Sequence, residues 1–169
     1  IITITINPVN DIPNLNEISD VTFNEDFSES INLFATDVDD DPLTFSVSNG
    51  INISSSIINN NVLSFLPGIN WFGTEIFTVT VSDGELVDTQ SITVTVNPVN
   101  DAPILISDLS NILFDEDSDV SLPLYAIDND GDDLTFGFLS LPEILEVSLE
   151  GSLLTIVSPE DWYGSESWE

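Results

Sequence analysis

The chain carries an internal repeat with an offset of 90 or 91 residues. The segments ITITINPVND at residues 2–11 and ITVTVNPVND at residues 92–101 are identical at eight of ten positions. Three further pairs follow in the same order: FNED with FDED (23–26 and 114–117), ATDVDDDPLTF with AIDNDGDDLTF (35–45 and 126–136), and NWFGTE with DWYGSE (70–75 and 161–166). A unit of about 90 residues is long enough to fold alone, so the repeat predicts consecutive domains rather than one large core.

The repeat boundaries divide the chain into three predicted segments. Residues 1–9 are the expected last strand of a preceding repeat, residues 10–99 a complete repeat, and residues 100–169 an incomplete one. The chain is therefore expected to be an excerpt from a longer polypeptide.

Alternating apolar and polar residues dominate the complete repeat. Phe77, Val79 and Val81 share one side of a predicted strand, and threonines take the other. The predicted strands are 14–23, 29–35, 43–48, 51–57, 62–66, 74–82 and 87–97. Seven short strands separated by turns predict an all-β fold of tandem Ig-like Greek-key β-sandwich domains.

Two short motifs make finer predictions about this fold. Asn49-Gly50 is a strong signal for a hairpin between its flanking strands, and VSLEGSLLTI makes the same prediction in the later repeat. Trp71 and Trp162, each followed by an aromatic residue and a glycine, are expected to plug one end of the sandwich; a carbohydrate platform is the alternative.

The charge balance excludes several functions. The chain has 31 Asp and Glu residues and no Lys, Arg or His, so its formal net charge is −31. This charge repels nucleic acids and anionic membranes. The sequence also contains no stretch of about 18 apolar residues, the length that is needed to cross a bilayer. The absence of cysteine excludes disulfides, and the absence of histidine removes the commonest general base. We therefore expect a protein that is not an enzyme.

The carboxylates cluster in segments that a sandwich would bring together. Asp37, Asp39, Asp40 and Asp41 fill a turn, Asp83 opens another, and residues 10–11 enter at the same predicted pole. Carboxylate, amide and carbonyl oxygens favour hard cations, Ca²⁺ above all. Some acids, namely Asp40, Asp41, Asp132 and Asp133, are interpreted as surplus surface charge.

These motifs together resemble the cadherin repeat. ATDVDDDPLTF and AIDNDGDDLTF are similar to its AxDxDxGxNxxLxY signature, VSDGE to its AxDxG turn, and NPVNDAP to its DxNDNxP linker. The bacterial cadherin-like repeats of large secreted adhesins are the most similar type, and the resemblance covers nearly the whole chain. It implies Ca²⁺ between successive domains, with neighbouring repeats of the same polypeptide as partners.

The resemblance also implies which residues hold the metal. The earlier junction would use Asn7, Asn10, Asp11, Asp37, Asp39 and Asp83. The middle junction would use Glu25, Asn97, Asn100, Asp101, Asp128 and Asp130, and Glu116 would serve a junction beyond residue 169. The linker reads Asn-Asp where the family has Asp-Asn, Asn97 replaces an acid, and the DRE segment is missing. One or two ions at each junction are therefore expected.

The predicted function is mechanical. The chain is interpreted as an extracellular, calcium-rigidified repeat segment of a large bacterial surface adhesin, which spaces a distal binding region from the cell. Two alternatives stay open: a component of an extracellular filament or surface layer, and a module that binds carbohydrate or another copy of itself. Such acidity also occurs in halophiles, whose folds would need molar salt rather than calcium.

Overall fold

The computed structural model describes residues 1–168, in which it contains fourteen β-strands and no helix. The chain forms two compact units, with unit 1 at Ile1–Val99 and unit 2 beginning at Asn100. The strands of unit 1 are β1 (Asn14–Leu15), β2 (Val21–Asn24), β3 (Glu29–Asn32), β4 (Ala35–Thr36), β5 (Thr44–Val47), β6 (Ile53–Ile58), β7 (Val62–Pro67), β8 (Gly73–Ser82) and β9 (Val87–Asn97). Those of unit 2 are β10 (Ile104–Leu105), β11 (Asp119–Pro123), β12 (Ala126–Ile127), β13 (Glu146–Glu150) and β14 (Leu153–Val157).

Unit 1 is built from two sheets. One has the order β2-β9-β8-β5, with β2 parallel to β9 and the other pairs antiparallel, and the other has the order β3-β7-β6. Alternate residues of the long strands are buried, and the Phe65 and Phe77 rings lie 5.0 Å apart between centroids. The core comprises thirteen buried apolar residues, so the predicted all-β, Ig-like fold is confirmed.

The predicted strand at 14–23 is interrupted because its two ends belong to different ladders. Its first part, β1, pairs with β4, whereas β2 pairs with β9. Between them the Gln90 side chain accepts a hydrogen bond from Ile18 N (3.0 Å) and donates one to Ile18 O (2.6 Å). A side-chain amide thus replaces the ladder where the chain crosses over.

The hairpin predicted at Asn49-Gly50 is wrong. β5 pairs with β8 in one sheet and β6 pairs with β7 in the other, so this dipeptide carries the chain between sheets. Gly50 is required for space instead, because a Cβ atom there would lie 2.3 Å from Ile53 O and 2.7 Å from Phe77 Cζ. The glycine reflects a close approach to the core rather than a two-residue turn.

Unit 2 repeats part of this plan. It contains a three-stranded sheet, β11-β14-β13, and a short β10-β12 ladder. The hairpin predicted from VSLEGSLLTI is confirmed, since β13 and β14 pair through a turn in which Gly151 has φ +63°. Three residues of its described part are buried in the core: Leu124, Leu154 and Ile156.

One local arrangement recurs in both units. In unit 1 the Trp71 ring covers Gly73, and a Cβ atom at that glycine would lie 2.9 Å from Trp71 Cζ2. Trp162 covers Gly164 in the same way, also at 2.9 Å. Trp71 additionally packs against the core of unit 1.

Candidate metal centre

Three segments that are distant in sequence meet at one pole of unit 1. They are the residues before β1, the loop between β4 and β5, and the turn between β8 and β9. Asn10 Nδ2 donates a hydrogen bond to Asp83 Oδ2 (2.9 Å), and Asp11 N donates one to Asp39 Oδ2 (2.8 Å). Both contacts attach the segment before β1 to acidic loops.

Asp37 organises the loop between β4 and β5. Its Oδ1 atom accepts hydrogen bonds from Asp39 N (2.8 Å) and Asp41 N (3.4 Å), which fold the loop around the side chain. Its Oδ2 atom is buried and has no hydrogen-bond partner. A buried carboxylate oxygen without a donor is costly unless a cation takes the place of the donor.

The loop brings three carboxylates together. Asp37, Asp39 and Asp41 each offer an oxygen, and these oxygens lie within 4.8 Å of one another. No Lys, Arg or His exists in the chain to neutralise them, and like charges at this separation repel by about 1 kcal/mol or more per pair at a surface. This group could hold a metal ion.

Asp41 is the member of this group that sequence reasoning missed, since it was interpreted as surplus charge. The signal was its spacing, because an acid four residues after Asp37 is placed beside it when its own N–H closes the turn onto that side chain. Asp40 is not part of this carboxylate group, and its backbone adopts the left-handed conformation in the turn, with φ +61°.

Asp83 is held by the turn that it opens. Its Oδ1 atom accepts hydrogen bonds from Leu86 N and Glu85 N, both at 2.7 Å. These donors, with a smaller contribution from the Asn10 amide, lower the pKa of Asp83 below its usual value. Asp83 therefore stays ionised at neutral pH. Asn7 is exposed and lies outside the strands.

Unit 2 rebuilds the same loop. Asp128 Oδ1 accepts hydrogen bonds from Asp130 N (3.0 Å) and Asp132 N (3.3 Å), and Asp130 Oδ2 accepts one from Asp101 N (2.5 Å). Asp101 Oδ2 is buried and has no hydrogen-bond partner. Asn100 Nδ2 donates to Asp101 O (2.8 Å). Within residues 1–168, each unit therefore has one buried carboxylate oxygen without a hydrogen-bond partner, Asp37 Oδ2 in unit 1 and Asp101 Oδ2 in unit 2.

The residues predicted for the middle junction divide between the units. Glu25 and Asn97 lie in unit 1, and Asn100, Asp101, Asp128 and Asp130 lie in unit 2.

Glu25 is 1% exposed; its Oε1 atom accepts a hydrogen bond from Val99 N (2.6 Å), and its own N–H donates to Asn97 O (2.9 Å). It thus fixes the end of β9. Glu116, its counterpart in unit 2, is exposed.

Comparison with known proteins identifies the family. Residues 10–96 match the family model described as a bacterial Ig domain. The chain belongs to the bacterial Ig domain family. Bacterial Ig domains are typically extracellular or on the cell surface, and their fold is typical of non-catalytic domains. In residues 1–168 of this bacterial Ig protein, no helix is long and apolar enough to cross a membrane.

Solved structures with a similar fold come from diverse proteins. An endo-fucoidan hydrolase of glycoside hydrolase family 107 is 22% identical (TM-score 0.41); the match covers 93% of this chain and 26% of the hydrolase. EC1-2 of human protocadherin-24 is 19% identical (TM-score 0.48; 90% and 79% covered), and the titin domains z1z2 in complex with telethonin are 11% identical (TM-score 0.42; 92% and 85% covered). The chain thus spans about a quarter of the hydrolase. No curated protein matches it.

Proposed function

We propose that this chain is a calcium-binding, non-enzymatic repeat segment of a large bacterial surface adhesin. In this proposal Ca²⁺ binds the acidic pole of each repeat and stiffens the linker that enters there. The segment then acts as an extracellular spacer for a distal adhesive region. The observation that carries the proposal is the buried Asp37 Oδ2 atom, which has no hydrogen-bond donor and belongs to a cluster of three carboxylates.

The chemistry of the donor set favours Ca²⁺ over other metals. The pole offers carboxylate, amide and backbone oxygens and no imidazole or thiolate, because the chain has no His or Cys. Ca²⁺ accepts six to eight oxygen ligands in flexible geometry, whereas Mg²⁺ demands a near-ideal octahedron. Asp37 and Asp39 are the central ligands in unit 1, with Asp41 and the ionised Asp83 beside them.

The linker supports a stiffening role. Asp11 N is bonded to Asp39 in unit 1, and Asp101 N is bonded to Asp130 in unit 2. An ion held by these loops would therefore also fix the linker residues that contact them. The proline residues Pro98 and Pro103 flank the second linker and limit its backbone further. The resemblance to cadherin repeats points in the same direction.

Thermal melting with calcium and with chelator tests the proposal. We expect saturating Ca²⁺ to stabilise the chain by about 3–4 kcal/mol, as binding to the native state alone at about 100 to 1,000 times the Kd would. Asp37→Asn should remove most of this gain in unit 1, because it removes the charge of the central ligand. Asp40→Asn is the matched control, since asparagine tolerates positive φ and this residue lies outside the carboxylate cluster.

Three results would contradict the proposal. Identical melting curves with calcium and chelator would exclude a metal that stabilises the fold. An equal loss of the calcium effect in Asp37→Asn and Asp40→Asn would show that diffuse charge, not the cluster, responds to the ion. A melting temperature that rises in molar NaCl but not with calcium would favour the halophile interpretation.

A further inference from the structure

Asn49-Gly50 has a chemical reactivity that its place between the two sheets does not use. It is the only Asn-Gly pair in the sequence, and the Asn49 side chain is exposed in the loop between β5 and β6. An asparagine followed by glycine can react with its own backbone. The nitrogen of the next residue lies beside the side-chain carbonyl carbon, and glycine has no Cβ atom to obstruct the approach. The pair is therefore a candidate modification site.

Both reacting groups of this pair are free of hydrogen bonds. In the part of the chain that the structure describes, neither the Asn49 side-chain amide nor the Gly50 N–H is bonded to a protein atom. Asn52, in the same loop, differs in both respects. Its Nδ2 atom donates to Glu75 Oε1 (3.0 Å), and the following N–H, that of Ile53, donates to Glu75 Oε2 (3.3 Å). Asn49 can therefore react without first breaking a hydrogen bond, whereas Asn52 cannot.

The two Asp-Gly pairs, which could undergo a related reaction, are held by hydrogen bonds. Gly84 N donates to a serine hydroxyl group, and Gly131 N donates to a backbone carbonyl group. Asp83 and Asp130, which precede these glycines, accept hydrogen bonds from backbone N–H groups. The corresponding loop of unit 2, GFLSLPEIL at residues 137–145, contains no asparagine. Sequence and hydrogen bonding therefore both favour Asn49 as the reactive position.

We propose that Asn49 is a site of spontaneous deamidation, and that the isoaspartate formed there destabilises unit 1. The Gly50 nitrogen attacks Asn49 Cγ and forms a C–N bond. The C–N bond of the side-chain amide breaks, and the amide group leaves as ammonia with the proton of the Gly50 N–H. Water then opens the five-membered succinimide ring at either carbonyl carbon, which gives aspartate or isoaspartate. No electrons are transferred, and water is the only other reactant.

The loop is anchored on both sides of the reacting pair. Isoaspartate carries the main chain through its side-chain carbon, which lengthens the backbone by one atom. Before the pair, Ser48 N donates to Thr78 O (2.9 Å), and Thr78 N donates to Ser48 Oγ (3.0 Å). After it, Glu75 accepts hydrogen bonds from the backbone N–H groups of residues 51–53. The additional atom must be accommodated between these two anchors.

The close packing of Gly50 leaves no space for a longer backbone. A Cβ atom added at Gly50 would lie 2.3 Å from Ile53 O, 2.4 Å from Glu75 Oε2 and 2.7 Å from Phe77 Cζ. The isoaspartate product therefore has to displace Gly50 from Phe77 or break the hydrogen bonds to Glu75. It also adds a negative charge to a chain that has no Lys, Arg or His to neutralise it. Both effects weaken the connection between the two sheets of unit 1.

Ageing of the whole chain at neutral pH and physiological temperature tests the proposal. Mass spectrometry of chymotryptic peptides measures the deamidation of each asparagine, since the chain has no Lys or Arg for trypsin to cut. Enzymatic methylation of isoaspartate identifies the product. We expect Asn49 to deamidate at least about tenfold faster than Asn52. Asn49→Gln should abolish the product at this position, because glutamine would have to close a six-membered ring.

Melting curves of the aged chain test the structural consequence. Unit 1 of the isoaspartate form should melt at least about 4 °C below unit 1 of the fresh chain. The Asn49→Gln variant should melt at the same temperature before and after ageing. Asn49→Asp adds the charge without lengthening the backbone, so its melting temperature should lie between those of the fresh chain and the isoaspartate form. Melting curves of the fresh variants show that each is folded before ageing begins.

Two outcomes would overturn the proposal: an Asn49 side chain that keeps its amide as long as Asn52 does, or an isoaspartate form that melts with the fresh chain. The reaction involves no proposed metal ligand. A failure of calcium binding would therefore leave this inference standing, and the reverse is also true.

Discussion

Unit 1 and unit 2 carry the same motifs but differ in how completely they are packed. Unit 1 has thirteen buried apolar residues, whereas the described part of unit 2 has three. Counterparts of β8 and β9 are not among the described strands of unit 2. Residues 112–115 and 135–138, which correspond to β2 and β5, form no strand there, because a strand needs a neighbour to satisfy its backbone groups.

The loops, in contrast, are alike in the two units. The acidic turn closes onto Asp37 in one and onto Asp128 in the other through the same backbone donors. Asp26 and Asp117 both have positive φ, and each accepts a hydrogen bond from a residue 44 positions later, before the Trp-aromatic-Gly motif. These loops therefore form in both units, whereas residues 112–115 and 135–138 lack the neighbours that β2 and β5 have in β9 and β8.

The largest expected effect on stability comes from a substitution in the core of unit 1. Phe77→Ala should cost about 3–5 kcal/mol, because it removes a fully buried ring that packs on Phe65. Phe136→Ala in unit 2 should cost much less, since Phe136 is only partly buried. Urea unfolding followed by tryptophan fluorescence measures both.

The two units need separate fluorescence signals, because a two-unit chain does not unfold as one state. Trp71 reports on unit 1 when Trp162 and Trp168 are replaced by Phe. Similar losses for Phe77→Ala and Phe136→Ala would contradict the difference in packing.

The fold could be predicted from the sequence because alternation and the repeat are strong, redundant signals. The strands near 74–82 and 87–97 were placed within one residue of β8 and β9. The hairpin at Asn49-Gly50 failed for a physical reason. An Asn-Gly dipeptide is compatible with a tight turn and also with a close approach between chain segments. Only the position of Phe77 in the folded unit shows which of the two applies here.

The second prediction concerns the pH dependence of stability in the two units. It depends on glutamates whose carboxylates accept hydrogen bonds from backbone N–H groups. Burial raises the pKa of Glu75, but hydrogen bonds from Asn52, Ile51 and Ile53 outweigh this and lower it below 4.5. Glu166 has the same role in unit 2, where N–H donors from Leu145, Glu143 and Ile144 lower its pKa despite the opposing effect of burial. Because the folded-state pKa is lowered, the stability that each of these carboxylates adds to the folded state is fully present above the unfolded-state pKa. This stability is lost as the pH falls through the folded-state pKa.

We therefore expect both units to lose stability as the pH falls below about 4.5, and Glu75→Gln to flatten this dependence in unit 1 only. Glu85→Gln is the control, since Glu85 lies exposed in the turn between β8 and β9. Thermal melts from pH 7 to pH 3 measure the effect. The interpretation fails if Glu85→Gln flattens the curve as much as Glu75→Gln does.

The candidate metal site was predictable in its location but not in its membership. Repetition and the expected sandwich topology indicated that residues 10–11, the loop at 37–41 and Asp83 share a pole. Spacing from Asp37 is the sequence signal that distinguishes Asp41 from Asp40, but it becomes decisive only in the folded turn, in which Asp41 N closes onto Asp37 and Asp40 takes positive φ. Which oxygens are left without donors is likewise a property of the folded loop.

The smallest expected effect concerns that turn. Asp40 in unit 1 has φ +61°, and the equivalent residue in unit 2 is Gly131, with φ +78°. A residue with a side chain is strained in this region, whereas glycine is not, so Asp40→Gly should stabilise unit 1 by less than about 1 kcal/mol. Gly131→Asp should destabilise unit 2 by a similar amount. Because these exchanges leave Asp37, Asp39 and Asp41 in place, calcium affinity measured by titration calorimetry should change little in Asp40→Gly. A loss of calcium affinity in Asp40→Gly would mean that Asp40 is a ligand. The acidic loops of the two units would then bind the metal through different sets of residues, because glycine occupies this position in unit 2.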